Sequence, residues 1–274
     1  MVLRLVRLID FSGLFFSINI NFDIGETTSK NNNMKNIVLI KIFILFLFMM
    51  LPYSLQANNI KNSAVIFMYH KFGVDKYPST NIKMEQFAQH LEEFSKSKYN
   101  VLPVDYIINT ILNDGELPEN TIGITIDDAD RSFLERGWPL LKEKGFPVTL
   151  FVTTNTISNQ STNYLSWNEI RSLIKEGVNI GAHSHSHNHL SNASIDELKN
   201  EIEKSNKIFL KELGFIPSLF AYPYGETNQK IFNLLKDYRY NFAFGQHSGV
   251  INETSNFYYL PRFSLNERYG NIDR

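Results

Sequence analysis

The sequence predicts a parallel α/β barrel of about seven strands. Three observations lead there: short apolar, β-rich runs alternate with helically periodic segments, glycines fall between each helical pattern and the next strand, and the polar chemistry comes directly after strands. In chain order, the run from Ala64 to Tyr69 predicts the first strand. Phe87, Leu91 and Phe94 then repeat at helical spacing, and a shorter strand is expected near Val101 to Pro103. Further strands are expected at Thr121 to Ile126, Val148 to Thr153, Val178 to Ala182, Ser218 to Tyr222 and Asn241 to Phe244. Leu198, Ile202, Ile208 and Leu213 mark a charged helix ahead of the Ser218 to Tyr222 strand. Gly145, Gly177 and Gly214 each sit where a left-handed helix cap is expected. No internal repeat or low-complexity linker interrupts this pattern, so a single domain is expected.

Composition narrows the function classes. A charge of 27 − 28 = −1 gives no electrostatic footprint for wrapping nucleic acid, and a 43% apolar fraction is ample for a buried core. The absence of cysteine excludes thiolate catalysis, cysteine-held zinc and disulfides together. Near the start, Lys35 precedes an apolar run from Ile42 to Leu51, Pro52 breaks it, and Leu55-Gln56-Ala57 offers a small residue for cleavage. Ten residues fall short of the roughly 20 a spanning helix needs, so a signal peptide is expected at 34–57, with an uncleaved membrane anchor as the competing reading. Translation is then expected to start at Met34, leaving 1–33 as a doubtful leader, and the folded domain to run over 58–274 with charge 22 − 25 = −3. The expected location is exported, periplasmic or extracellular.

The chemistry clusters at strand ends. Asp127 and Asp128 follow the Thr121 to Ile126 strand, and four histidines, His183, His185, His187 and His189, follow Val178 to Ala182. Adjacent carboxylates at the end of a buried strand need a positive partner, which a divalent cation provides; the alternative is an acidic helix start. Imidazoles four residues apart suit zinc, and two histidines with one carboxylate leave a coordination position open. Spacing alone does not choose between His183 with His187 and His185 with His189.

At these residues the chain resembles the NodB-homology polysaccharide deacetylases of carbohydrate esterase family 4. TIDDA (Thr125 to Ala129) resembles the family's TFDDG, HSHSH (His183 to His187) its H-S/T-x-x-H, and AYPYG (Ala221 to Gly225) its R-x-P-Y-G. VIFMYHKFG (Val65 to Gly73), FGQHSG (Phe244 to Gly249) and LPRF (Leu260 to Phe263) are similar to the branch of exported exopolysaccharide and poly-N-acetylglucosamine deacetylases. The resemblance implies a deformed (β/α) barrel, a divalent metal with zinc first, and hydrolysis of N-acetyl groups from a GlcNAc-containing polysaccharide. It implies Asp127 as general base, Asp128, His183 and His187 as metal ligands, Ser184 as a brace of the histidine loop, and the Tyr224 backbone N–H as an oxyanion donor. His247 is the candidate general acid, although the family's leucine-x-histidine motif is not clearly present. Tyr222 and Tyr224 are candidate faces for sugar rings, and His70 is either a site wall or a core histidine.

Four departures from the family pattern bear on activity. Ala129 replaces a glycine, which is tolerable if the backbone there is not left-handed. Asp130 replaces an aromatic and either disturbs the base or caps a helix. Ala221 replaces the arginine that in many members orients the base, so Asp127 is expected to be less constrained unless another cation such as Arg262 substitutes. The chain stops at Arg274, where more residues are expected to close the barrel. Two other functions compete: a catalytically impaired carbohydrate-binding protein on the same scaffold, and another barrel metallohydrolase acting on small amides.

Overall fold

The computed structural model describes residues 62–159 and 161–272; the expected leader and signal peptide lie outside the described residues. Among the described residues, no helix is long and apolar enough to cross a membrane.

One all-parallel sheet organises the domain. β1 (Ala64–Tyr69) pairs with β5 (Thr121–Ile126) over its whole length. From β5 the sheet continues through β6 (Thr149–Val152), β7 (Asn179–Ala182), β8 (Leu219–Ala221) and β9 (Phe242–Phe244). The short β4 (Asn100–Val101) also pairs with β5, and β10 (Phe263–Ser264) pairs with the other edge of β1. Each expected strand is present within a residue or two of its expected bounds. β10 and the two-residue pair β2 (Lys71–Phe72) and β3 (Asn81–Ile82) go beyond those expectations, because two-residue strands carry no periodicity.

The helices lie in the connections, as right-handed crossovers between parallel strands require. They are α1 (Met84–Phe94), α2 (Val104–Leu112), α3 (Trp138–Lys144) behind a π-turn at Phe133–Gly137, α4 (Thr154–Ser158), α5 (Trp167–Lys175), α6 (Ile195–Leu213) and α7 (Gln229–Asp237). α6 is the longest: Ser194 and Glu197 form a capping box at its start, and Gly214 ends it in a left-handed turn. Gly145 and Gly177 are left-handed too, as expected.

β5 is buried on both faces, the mark of a strand covered by helices outside and by barrel contents inside. Inside, Phe151 lies over Gly181 so closely that a Cβ there would stand 2.3 Å from its ring. The ring is closed by residues after β9. Gly245 N–H donates to Leu260 O and Leu260 N–H to Ala243 O, while β10, three residues on, pairs with β1. The segment from Leu260 to Ser264 therefore ties β9 to β1.

Candidate active site

The β5 end separates its two carboxylates. Thr125 and Asp127 lie two residues apart along the strand, so they face the same way. Both meet Arg262: its Nη1 donates to Thr125 Oγ1 at 3.2 Å and Asp127 Oδ1 at 2.7 Å, and its Nη2 donates to Asp127 Oδ2 at 2.8 Å. Arg262 and Asp127 are both 0% exposed. The guanidinium also donates through Nε to Gly245 O and lies 5.3 Å and 5.6 Å from the centres of the Phe151 and Phe244 rings. Burial pushes the Asp127 pKa up, but the paired Arg262 guanidinium leads the charges that outweigh it and hold it down at about 2. His70, directly after β1, is buried.

Asp128 leaves the strand in a left-handed conformation (φ 73°), and Ala129 follows at φ 56°. Across this turn the two carboxylates part, Asp127 to Arg262 and Asp128 to the histidines after β7. The turn also means that Ala129, fully buried, occupies the backbone region where the sequence-based tolerance for alanine fails. Asp130 does not disturb Asp127: its carboxylate pairs with Lys71 and accepts the Ser132 N–H (2.9 Å) and hydroxyl (2.5 Å). The helix-start role open to the acidic run thus falls to Asp130, and the Asp127-Asp128 pair is free for the site.

The β7 end turns its histidines onto Asp128. Asp128 Oδ1 lies 3.6 Å from His183 Nε2 and 3.4 Å from His187 Nε2. Ligand atoms of the three residues all fall within 4.8 Å of one another. Ala221 O can only accept, so His183 donates to it from Nδ1 (2.7 Å) and carries its lone pair on Nε2. That nitrogen is buried without a hydrogen-bond partner. An orphaned imidazole lone pair aimed at a carboxylate is the arrangement a divalent cation satisfies, and two imidazoles plus one carboxylate suit zinc. Burial, then the neighbouring His183, lower the His187 pKa, which favours the neutral ligand form. Ser184 Oγ accepts the His187 N–H at 3.0 Å.

The remaining candidates divide. Tyr224 is left-handed (φ 58°) and 48% exposed, and its ring stands edge-on to His187 at 4.8 Å. Tyr222 is instead fully buried, donating its hydroxyl to Tyr258 O among Phe220 and Tyr259, so it offers no face to a sugar. The exposed His247 ring lies on Tyr259 at 4.2 Å rather than on the Asp128 cluster, and partial burial lowers its pKa.

Comparisons with known proteins agree with this geometry. The family model for polysaccharide deacetylase matches residues 114–243, which takes in both strand ends that carry the site. This chain thus matches a polysaccharide deacetylase domain over 114–243. It is 26% identical over 165 residues to a poly-beta-1,6-N-acetyl-D-glucosamine N-deacetylase of Staphylococcus aureus, covering 56% of this chain and 57% of that protein. The chain thus spans a little over half the length of such relatives. Among solved structures, the Streptococcus pyogenes deacetylase PplD in complex with acetate superposes at a TM-score of 0.69 (22% identity, 75% of this chain, 93% of that one). IcaB from Ammonifex degensii does so at 0.67 (18% identity, 76% and 94%). Both share the deformed barrel described above.

One deacetylase-domain residue beside the site escaped the sequence reading. Glu201, on α6, meets the histidine loop. The signal was present: Glu201 is a charged residue in the buried stripe of Leu198, Ile202 and Phe209.

Proposed function

We propose that this chain is a metal-dependent N-deacetylase of a GlcNAc-containing polysaccharide. The observation that carries the proposal is the Asp128, His183 and His187 cluster with a second, arginine-clamped carboxylate, Asp127, at the same strand end. The relatives named as poly-beta-1,6-N-acetyl-D-glucosamine N-deacetylases support the substrate class. Asp128 Oδ1 and the Nε2 atoms of His183 and His187 would hold the metal, zinc first. A divalent cation there, when bound, supplies Lewis-acid chemistry, polarising an amide carbonyl and acidifying water.

The chain's own residues supply the rest. Asp127 is ionised throughout the neutral range; each oxygen gives one lone pair to Arg262 and keeps another to accept a proton from the attacking water. With a pKa near 2 it is a weak resting base, so it takes that proton only where the water has become strongly acidic. The Tyr224 N–H, in its left-handed turn beside His187, is the proposed donor to the developing oxyanion, and the exposed Tyr224 ring the proposed face for a sugar. His247 is the proposed proton donor to the leaving amine, His70 walls the site, and Arg262 orients the base. The segment at 34–57 supports export to the periplasm or the exterior.

Acetate release from β-1,6- and β-1,4-linked GlcNAc oligomers, with and without added Zn²⁺, tests this reading. Wild type is expected to release acetate only with metal, and Asp127→Asn to lose roughly 10²–10⁴-fold in turnover while still binding Zn²⁺. Metal binding without acetate from either oligomer would make the chain a binding protein.

A further inference from the structure

The histidine loop has an unusual backbone. Ser184 and His187 are both left-handed, at φ 62° and 57°, a conformation that side chains other than glycine disfavour. Local preference therefore does not hold this loop in shape, and contacts from outside must.

Thr153, Thr154 and Asn155 hold the loop through the His183, Ser184 and His185 carbonyls and the His185 ring, and Glu201 is the residue that holds its N–H groups. Its carboxylate is only 9% exposed and takes three donors from two successive loop residues. Oε2 accepts the backbone N–H of His185 at 3.2 Å and of Ser186 at 2.8 Å, and Oε1 accepts the Ser186 hydroxyl at 2.7 Å. Consecutive N–H groups converging on one oxygen form an anion-binding nest, and here the anion is a side chain of the fold itself. Ser205, one turn further along α6, donates its hydroxyl to Ser184 O at 3.3 Å. Among the described residues Glu201 makes no ion pair, so its carboxylate is committed to the loop.

We propose that Glu201 is the positioning residue of the metal centre. By fixing the backbone between His183 and His187, it presents both Nε2 atoms to Asp128 while touching neither metal nor substrate. Geometry rather than charge performs this role. Glutamine fits the same place, with its carbonyl accepting both N–H groups and its amide donating to Ser186 Oγ. Aspartate keeps the charge but loses one methylene of reach. The inference rests on the metal-dependent reading above.

Co²⁺ titrations of the full chain, followed by calorimetry and by the visible d–d absorption of the bound ion, test it in wild type and in Glu201→Gln, Glu201→Asp and Glu201→Ala. Glu201→Gln is expected to bind within about threefold of wild type with the same spectrum. Glu201→Asp and Glu201→Ala are expected to bind roughly 10–100-fold more weakly with an altered spectrum, the range found when groups that orient metal ligands are removed. If Glu201→Ala does not fold, the order of Gln above Asp decides alone. Asp and Ala variants that bind like wild type would overturn this inference only, as would Gln binding more weakly than Asp. A wild type that binds no Co²⁺ would overturn the metal reading itself, and this inference with it.

Discussion

His183 with His187 and His185 with His189 are interleaved pairs of identical spacing, yet the fold treats them differently. The first pair turns its Nε2 atoms to Asp128. In the second, His185 meets Thr154 Oγ1 through Nδ1 at 3.0 Å, and His189 binds Glu226 at 2.9 Å while stacking on Tyr224 at 3.9 Å. A spacing of four implies a shared face only in a helix, and this segment is not helical. Its left-handed turns decide which imidazoles point inward. Asp127 and Asp128 repeat the lesson at the neighbouring strand end, where one left-handed residue separates a carboxylate sealed against arginine from one left open.

The contrast between the pairs can be broken most severely at the ligands. Alanine at His183 or His187 is expected to weaken Zn²⁺ binding by more than the roughly 100-fold that marks the loss of an orienting group, whereas alanine at His185 or His189 leaves it within a few-fold. Competition with a chromogenic chelator measures this, and the reverse pattern would reassign the site.

The contrast between the carboxylates breaks at Arg262. Arg262→Ala leaves Asp127 buried and unpaired, which is expected to cost about 3–5 kcal/mol in urea unfolding, whereas Asp128→Asn, at a partly exposed position, costs far less. Equal losses would show that the clamp contributes nothing particular to stability.

The smallest expected effect sharpens the account of the turn itself. Ala129→Gly removes a left-handed strain of about 1–2 kcal/mol. It adds about 0.4–1 kcal/mol of unfolded-chain entropy. A net gain of about 0.5–1 kcal/mol in thermal unfolding is therefore expected, and a loss would mean that the Ala129 methyl packs better than its backbone suffers.

The sheet was legible because long strands such as Ala64–Tyr69 and Thr121–Ile126 announce themselves by composition, and left-handed glycines mark where helices stop. The clustering of Asp128, His183 and His187 was legible through motifs, and the Arg262 contact only as one way to replace the arginine missing at Ala221. Tyr222 was not, because a sequence does not say which of two tyrosines in YPYG faces inward; that is set by the left-handed turn at Tyr224. Glu201 stayed hidden because its partners are backbone N–H groups, which every sequence contains. The short closing strand, Phe263–Ser264, was invisible for want of length.

That closing segment also fixes an order of assembly. Asp127 is made 135 residues before the arginine that neutralises it. Asp128, His183 and His187 all precede Arg262 as well, so a ribosome delivers this cluster before the chain can seal its barrel. Until Leu260 to Ser264 arrives, Asp127 has no arginine to enter the core with. Closing the ring and pairing Asp127 are a single event, because the segment that joins β9 to β1 also carries the guanidinium.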